Sequence, residues 1–191
     1  MYKFNNNWFD CSQLKNSLEL LSKYLDYNNK SVKLLEIGSY EGASACFFSD
    51  NLLHLEDSEL TCVDPFCLED ETTPVYETTE NTFLDNIKKS KGYKKIIFKK
   101  MFSKEFYIEN TKKFDFVYID GSHKVQDIIL DFNNCLHIIN TNGIIWMDDY
   151  LGGDNHIIKN CIDELYNKNK DKLDIIYQGY QIAFVKKLDC C

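Results

Sequence analysis

Two short segments concentrate groups able to do chemistry: YIDGSHKVQDIILDF (118–132) and WMDDYLGG (146–153). Each opens on an apolar run that ends in acids. Asp120 closes the first run, and His123 follows three residues later, where a helical pattern starts. Asp148 and Asp149 close the second run. If both runs are parallel strands of one sheet, their ends converge and three carboxylates meet. Such carboxylates repel one another unless they are protonated or bridged by a cation. Oxygen ligands suit Mg²⁺, which keeps several waters in its shell. Asp120, Asp148 and Asp149 are therefore the candidate metal ligands. Adjacent residues inside a strand point to opposite faces, so Asp148 and Asp149 reach one ion together only if the strand has turned at Asp149. His123, with an ordinary pKa near neutral, can take a proton from a hydroxyl placed there. The plainer alternative is that Asp120 caps a helix and His123 rests at its N-terminus. Asp131, further along that helix, either supports the site or faces solvent, and His54, His137 and His156 have no such company.

A second constellation lies in LLEIGSYEGAS (34–44). A strand ends at Gly38 and a helix begins near Gly42. A sharp strand-to-helix turn needs residues that tolerate unusual φ, and the N–H groups of a helix start can face a ligand. The spacing is G-x-x-x-G, with Tyr40 where a dinucleotide fingerprint has its middle glycine, and no G-K-[ST] follows. Asp64 ends the next apolar run in CVDPF, where a carboxylate can accept hydrogen bonds from two ribose hydroxyls. Glu36 precedes Gly38 by two and can reach the loop. A ribose-binding acid without a phosphate loop points to a nucleoside that carries no phosphates.

These groups need a scaffold that brings strand ends together. Strand-like runs occur at 33–38, 60–64, 95–99, 114–120 and 143–148, each short and with little polar alternation. That is the pattern of strands buried on both faces, hence of a parallel sheet covered by helices. Helical patterns fall between them, near 43–54, 80–90, 103–111, 124–138 and 154–169. The closing LDIIYQGYQIAFVKK reads as an antiparallel hairpin. The prediction is an α/β, Rossmann-like, doubly wound seven-stranded sheet, its last strand antiparallel, with helices on both faces. Residues 1–30 form an N-terminal helical extension carrying Leu14, Leu18, Leu20, Leu21, Tyr24 and Leu25 at a roughly helical period, residues 31–187 the domain, and 188–191 a tail. The acidic, Thr-rich segment 66–82 is a long loop beside the ligand edge of the sheet.

The ordered motifs closely resemble those of the class I S-adenosylmethionine-dependent methyltransferases over residues 31–187. LLEIGSYEGAS looks like their first motif, LTCVDPF their second, FKKMFSKEF the stretch along the adenine, and FDFVYIDGSH and GIIWMDDY their fourth and fifth. The resemblance implies sheet order 3-2-1-4-5-7-6 and S-adenosyl-L-methionine as cofactor. It implies that Glu36, Gly38, Ser39 and Gly42 form the loop at the methionine part and that Asp64 holds the ribose. Phe102 or Ser103 would border the adenine, and Asp120 would also face the cofactor. Ser103 reads equally as a helix N-cap, with Glu105 in the first turn. IDGSH followed by DD further resembles the metal-dependent O-methyltransferases that modify sugar hydroxyls of macrolide antibiotics. That likeness implies Asp120, Asp148 and Asp149 as ligands of Mg²⁺ and His123 as the base that frees a hydroxyl to attack the sulfonium methyl. Those enzymes usually have Glu-Asp where this chain has Asp148-Asp149, one methylene shorter.

Composition narrows the alternatives. The chain has 191 residues and a net charge of −8, which argues against a broad nucleic-acid surface. A cluster of lysines from Lys88 to Lys100 reads as a solvated edge. No apolar run approaches the roughly 18 residues of a membrane span, and no signal-peptide pattern is visible, so a cytoplasmic protein is expected. The eight cysteines form no CxxC pair and read as reduced. Cys190-Cys191 reads as a frayed tail. The expected activity is O-methylation of a sugar or other small-molecule hydroxyl, with a homodimer as the usual form of related small enzymes. Methylation of RNA or protein and a non-catalytic partner role are the competing readings. A nicotinamide dehydrogenase is the weakest, because the pyrophosphate loop is missing.

Overall fold

The computed structural model describes residues 1–6, 9, 11–67, 78–152 and 156–188. Most of the 66–82 loop, Gly153 and the Cys190-Cys191 tail lie outside these. Among the described residues the strands and α-helices follow in the order α1 (Cys11–Asn16), α2 (Leu18–Leu25), β1 (Lys33–Ile37), α3 (Ala43–Leu52), β2 (Glu59–Val63), α4 (Thr79–Ile87), β3 (Ile96–Lys99), α5 (Ser103–Glu109), β4 (Phe114–Ile119), α6 (Val125–Ile138), β5 (Ile139–Met147), α7 (Ile157–Asn169), β6 (Leu173–Gln178) and β7 (Ile182–Lys186). They form one seven-stranded sheet in the order β3-β2-β1-β4-β5-β7-β6. The first five strands are parallel, and β7 runs antiparallel to both its neighbours.

Both faces are covered, which explains the continuous apolar runs. Leu34, Phe116, Tyr118, Ile144 and Trp146 face one core layer with residues of α1 to α4. Leu35, Ile37, Val117, Ile119 and Ile145 face the other, with residues of α5, α6 and α7. The N-terminal extension belongs to the first layer: Leu14 and Leu21 are fully buried in it. It forms two helices instead of one continuous helix, broken where the Ser17 hydroxyl donates to the Gln13 carbonyl at 2.8 Å. Strand β5 begins four residues before the expected 143, through Asn142 at φ 62°.

The ends of the parallel strands are laced together one residue beyond the ladder. The Asp64 N–H donates to the Lys99 carbonyl, Gly38 to Val63, Asp120 to Ile37, and Asp148 to Ile119. This lacing leaves no room at Gly38. A Cβ there would stand 1.9 Å from the Asp120 carbonyl oxygen, and the residue sits at φ +85°. Gly42, at φ +82°, would press a Cβ to 2.9 Å from the Phe83 ring. The glycines thus answer first to neighbouring protein: one to the end of β4, the other to α4.

Gly38→Ala is therefore expected to lower stability by about 2–4 kcal/mol, with a strained φ adding to a clash against main chain that cannot move aside. Thermal or urea unfolding measures it. Wild-type stability would show that the β1–β4 approach can relax.

Candidate functional site

Beyond the C-terminal edge of β1, β2, β4 and β5 opens a cavity of about 840 Å³. The edge is where an open α/β sheet reverses its winding and binds ligands. Gly38, Ser39, Asp64, Phe102, Ser103, Asp120, His123, Asp148 and Asp149 all line it. Glu36 and Gly42 stand behind its wall.

At the loop end, Asp64 is the organising group. Its Oδ2 accepts the N–H groups of Ser39 at 2.8 Å and Tyr40 at 2.9 Å, and its Oδ1 accepts that of Phe66 at 2.7 Å. The carboxylate has about four lone-pair sites, so it folds the loop and retains capacity for a ligand. Glu36 lies fully buried beneath the loop. Its Oε2 accepts the Ser39 hydroxyl at 2.5 Å, while Oε1 makes no hydrogen bond. Burial pushes the Glu36 carboxyl up to about 7, against the Ser39 hydroxyl that favours the charged form. Phe66 packs at 5.4 Å between ring centroids against both Phe83 and Phe98, forming an aromatic wall that sequence patterning did not single out.

On the far wall, Phe102 is the N-cap of α5, and its N–H donates to Glu105 at 3.1 Å. Ser103 is therefore the first helical residue and does not cap. The Ser103 hydroxyl favours the charged form of Asp131 of α6, but burial outweighs it and pushes that carboxyl up to about 6, with Oδ1 left without a hydrogen bond. Asp131 is thus a buried member of the cavity wall and does not face solvent.

The acidic end gathers around Asp149. Strand β5 has ended at Met147, and Asp149 stands at φ 52°, so the chain has turned between the two acids. Asp149 Oδ2 lies 2.8 Å from His123 Nε2, and Oδ1 accepts the Tyr180 hydroxyl from the turn between β6 and β7. His123, Asp149 and Asp120 each bring one ligand atom within 4.8 Å of the others. Asp148 is held otherwise: its Oδ2 accepts the Tyr118 hydroxyl at 2.5 Å and its Oδ1 the Asp149 N–H at 2.7 Å. Behind Tyr118 runs a buried relay in which Trp146 donates to Gln181 at 2.8 Å and Gln181 donates to Tyr118 at 3.3 Å. Nothing in the linear pattern marked Tyr118, Gln181 or Tyr180. Their roles arise from the reversed hairpin meeting β5.

Electrostatics agree with the crowding. Burial holds Asp120 well above the usual carboxylate range, and Asp148, Asp149 and Glu36 add to the shift. Burial also raises Asp148. Asp149 alone is lowered, chiefly by its bond to His123, and that bond raises the imidazole in return. A cluster this short of positive charge, with three ligand atoms converging, fits a divalent cation.

Residues 35–150 match the Methyltransf_24 family, described as a methyltransferase domain. The chain is 27% identical over 128 residues to uncharacterized protein R132 of Acanthamoeba polyphaga mimivirus, covering 65% of this chain and 54% of that protein's length. Solved structures share the fold at low identity. The O-methyltransferase TomG from Streptomyces achromogenes, involved in tomaymycin synthesis and solved with SAM, has TM-score 0.70 and 14% identity, covering 97% of this chain and 84% of that one. An O-methyltransferase from Bacillus cereus in complex with SAH has TM-score 0.66 and 15% identity, covering 93% and 82%. An rRNA methylase from Streptococcus thermophilus has TM-score 0.65 and 11% identity, covering 92% and 96%. No helix among the described residues is long and apolar enough to cross a membrane.

Two pH effects follow. The folded protein holds the Glu36 proton between the ordinary 4.5 and about 7, where the unfolded chain has released it. Stability therefore falls as pH rises through that window, and Glu36→Gln should flatten the slope in urea titrations at stepped pH. His123 has the opposite relation to its partner. Its pairing stabilises fully below the ordinary 6.5 and is lost as pH rises through the raised value. Asp149→Asn should move the imidazole titration, followed by NMR, down towards 6.5.

Proposed function

The chain belongs to the methyltransferase-domain family, and on that premise we propose that it is an S-adenosylmethionine-dependent O-methyltransferase of a small hydroxylated acceptor, assisted by a divalent cation such as Mg²⁺. The observation that carries this reading is one cavity with two unlike ends, a backbone loop gathered by Asp64 and an acid cluster facing His123. The nucleoside end is supported by Asp64, whose spare acceptor capacity suits a ribose hydroxyl, and by Phe102 and Ser103 on the opposite wall for the adenine. Gly38 and Ser39, which line the cavity, would hold the methionine part. Glu36 and Gly42 act from behind, through Ser39 and through the turn into α3.

When bound, S-adenosylmethionine supplies an electrophilic methyl group on a sulfonium. The chain's part is to align a nucleophile and control its proton. His123 is exposed and lines the cavity, which supports it as the group that accepts the proton of an acceptor hydroxyl. Pairing with Asp149 favours the protonated imidazole, so His123 serves as a base where the charge of Asp149 is engaged elsewhere. Asp120 and Asp149 would hold the cation, with Asp148 beside them. There it would offset their charge and lower the pKa of a nearby hydroxyl. A net charge of −8 favours a small acceptor over a nucleic acid. Cys46, Cys62 and Cys135 are buried and free, which supports a reducing, intracellular setting.

Calorimetric titration with S-adenosylhomocysteine, with Mg²⁺ and with EDTA, tests the cofactor, and a panel of phenolic and sugar acceptors tests the reaction. Binding of the nucleoside product is expected in both buffers, and turnover only with the cation. His123→Ala should lower kcat about 10²–10⁴-fold with binding of the nucleoside intact. Failure of the folded protein to bind S-adenosylhomocysteine would refute the reading. Turnover in EDTA would remove the cation from it.

A further inference from the structure

Within residues 2–6, Phe4 and Asn6 form part of the cavity lining. This strap has no regular secondary structure. Its polar groups are met by side chains of the domain. Asn86 of α4, 1% exposed, accepts the Lys3 N–H at 2.9 Å and returns its own amide to the Lys3 carbonyl at 2.7 Å. Glu41, 2% exposed, accepts twice from Asn5, from the backbone N–H on Oε2 at 2.7 Å and from the side-chain amide on Oε1 at 2.6 Å. The Asn6 amide donates to the Tyr40 hydroxyl at 2.8 Å, and the Tyr2 hydroxyl donates to Asp50 of α3 at 2.8 Å.

Glu41 sits inside the glycine loop, where a carboxylate facing the ligand would be the simple expectation. Both its oxygens are instead occupied by Asn5. A buried carboxylate left without donors is strongly unfavourable, so this acid is matched to the strap. Tyr40 joins the strap to the ligand end. Asn6 holds it by the hydroxyl and Asp64 by the backbone N–H, with the residue at φ 45° between them.

We infer that Glu41 is a positioning residue that fastens residues 2–6 across the cofactor cavity, so that the S-adenosyl ligand leaves only when this clamp opens. The inference rests on the reading of the cavity as an S-adenosyl site. To the extent that the closed strap also strengthens equilibrium binding, the ligand must hold the strap more tightly by the same factor.

The test compares full-length wild type with Asn5→Asp and Asn5→Ala. Asn5 is exposed, so neither change disturbs the core, and Asn5→Asp sets a second carboxylate against Glu41. The dissociation rate of S-adenosylhomocysteine, followed by stopped-flow displacement, should rise about tenfold or more in Asn5→Asp, the scale of a lost charge-assisted hydrogen bond. Asn5→Ala should fall between the two. The thermal midpoint of the ligand-free protein should fall in Asn5→Asp, because buried Glu41 loses a donor and gains a like charge, while its far-UV circular dichroism stays that of wild type. Amide exchange at residues 3 and 5 should be slowed by the ligand in wild type and not in Asn5→Asp. An unchanged dissociation rate in Asn5→Asp, with wild type still binding, overturns the clamp and leaves the cofactor reading standing. Absence of binding by folded wild type overturns both.

Discussion

The carbonyl of Asp120 occupies the space that any side chain at position 38 would need. This contact fixes how closely the end of β1 approaches the end of β4, and much of the site depends on it. The same lacing repeats across the edge, each residue just past a strand donating to the last residue of its neighbour. Asp64, Asp120 and Asp148 are three of those donors. Their backbones therefore sit at one level, and their carboxylates share one cavity wall. A parallel sheet brings strand ends to one side; the extra bonds turn that tendency into a defined row of acids.

Gathering acids in a half-dry cleft creates a charge problem, and the protein answers it differently at each position. Asp64 is held by three backbone N–H groups. Asp149 is paired with His123 and is the only member of the cluster driven below the usual carboxylate range. Glu36, Asp120, Asp131 and Asp148 are all pushed upward, with burial the leading cause in each case. Four raised carboxyls around one cavity favour ligands that bring positive charge, and the proposed sulfonium and divalent cation are both of that kind. The Trp146–Gln181–Tyr118 relay settles Asp148 on the core side, leaving Asp149 as the acid that meets His123.

The loop between β1 and α3 is where these constraints meet the N-terminal strap. One short stretch contains Gly38 against β4, Ser39 over Glu36, Tyr40 between Asp64 and Asn6, Glu41 on Asn5, and Gly42 against Phe83. Every residue of the turn is held by a neighbouring part of the protein. Tyr40 is the residue of this loop that touches both the strap and Asp64.

Much of this was legible in the chain itself. Apolar runs buried on both faces announce a parallel sheet, because the core layers on either side demand it, and the helices between them follow from chain connectivity. The two glycines, Asp64, Asp120, His123 and the Asp148-Asp149 pair were all visible as groups at strand ends. The alternation of a strand gives the face on which a residue lies; it gives no distance to a residue on another element. So the sequence could not say that Asp149 would take His123 while Asp148 took Tyr118, that Phe102 and not Ser103 would cap its helix, or that Gly38 answered to Asp120. Nor could it place Asn5 on Glu41, 36 positions away. Local periodicity determined which groups reach the edge of the sheet. Tertiary structure alone decided which of them touch, because that depends on strand register, on the turn after β5 and on where the reversed hairpin and the strap come to rest.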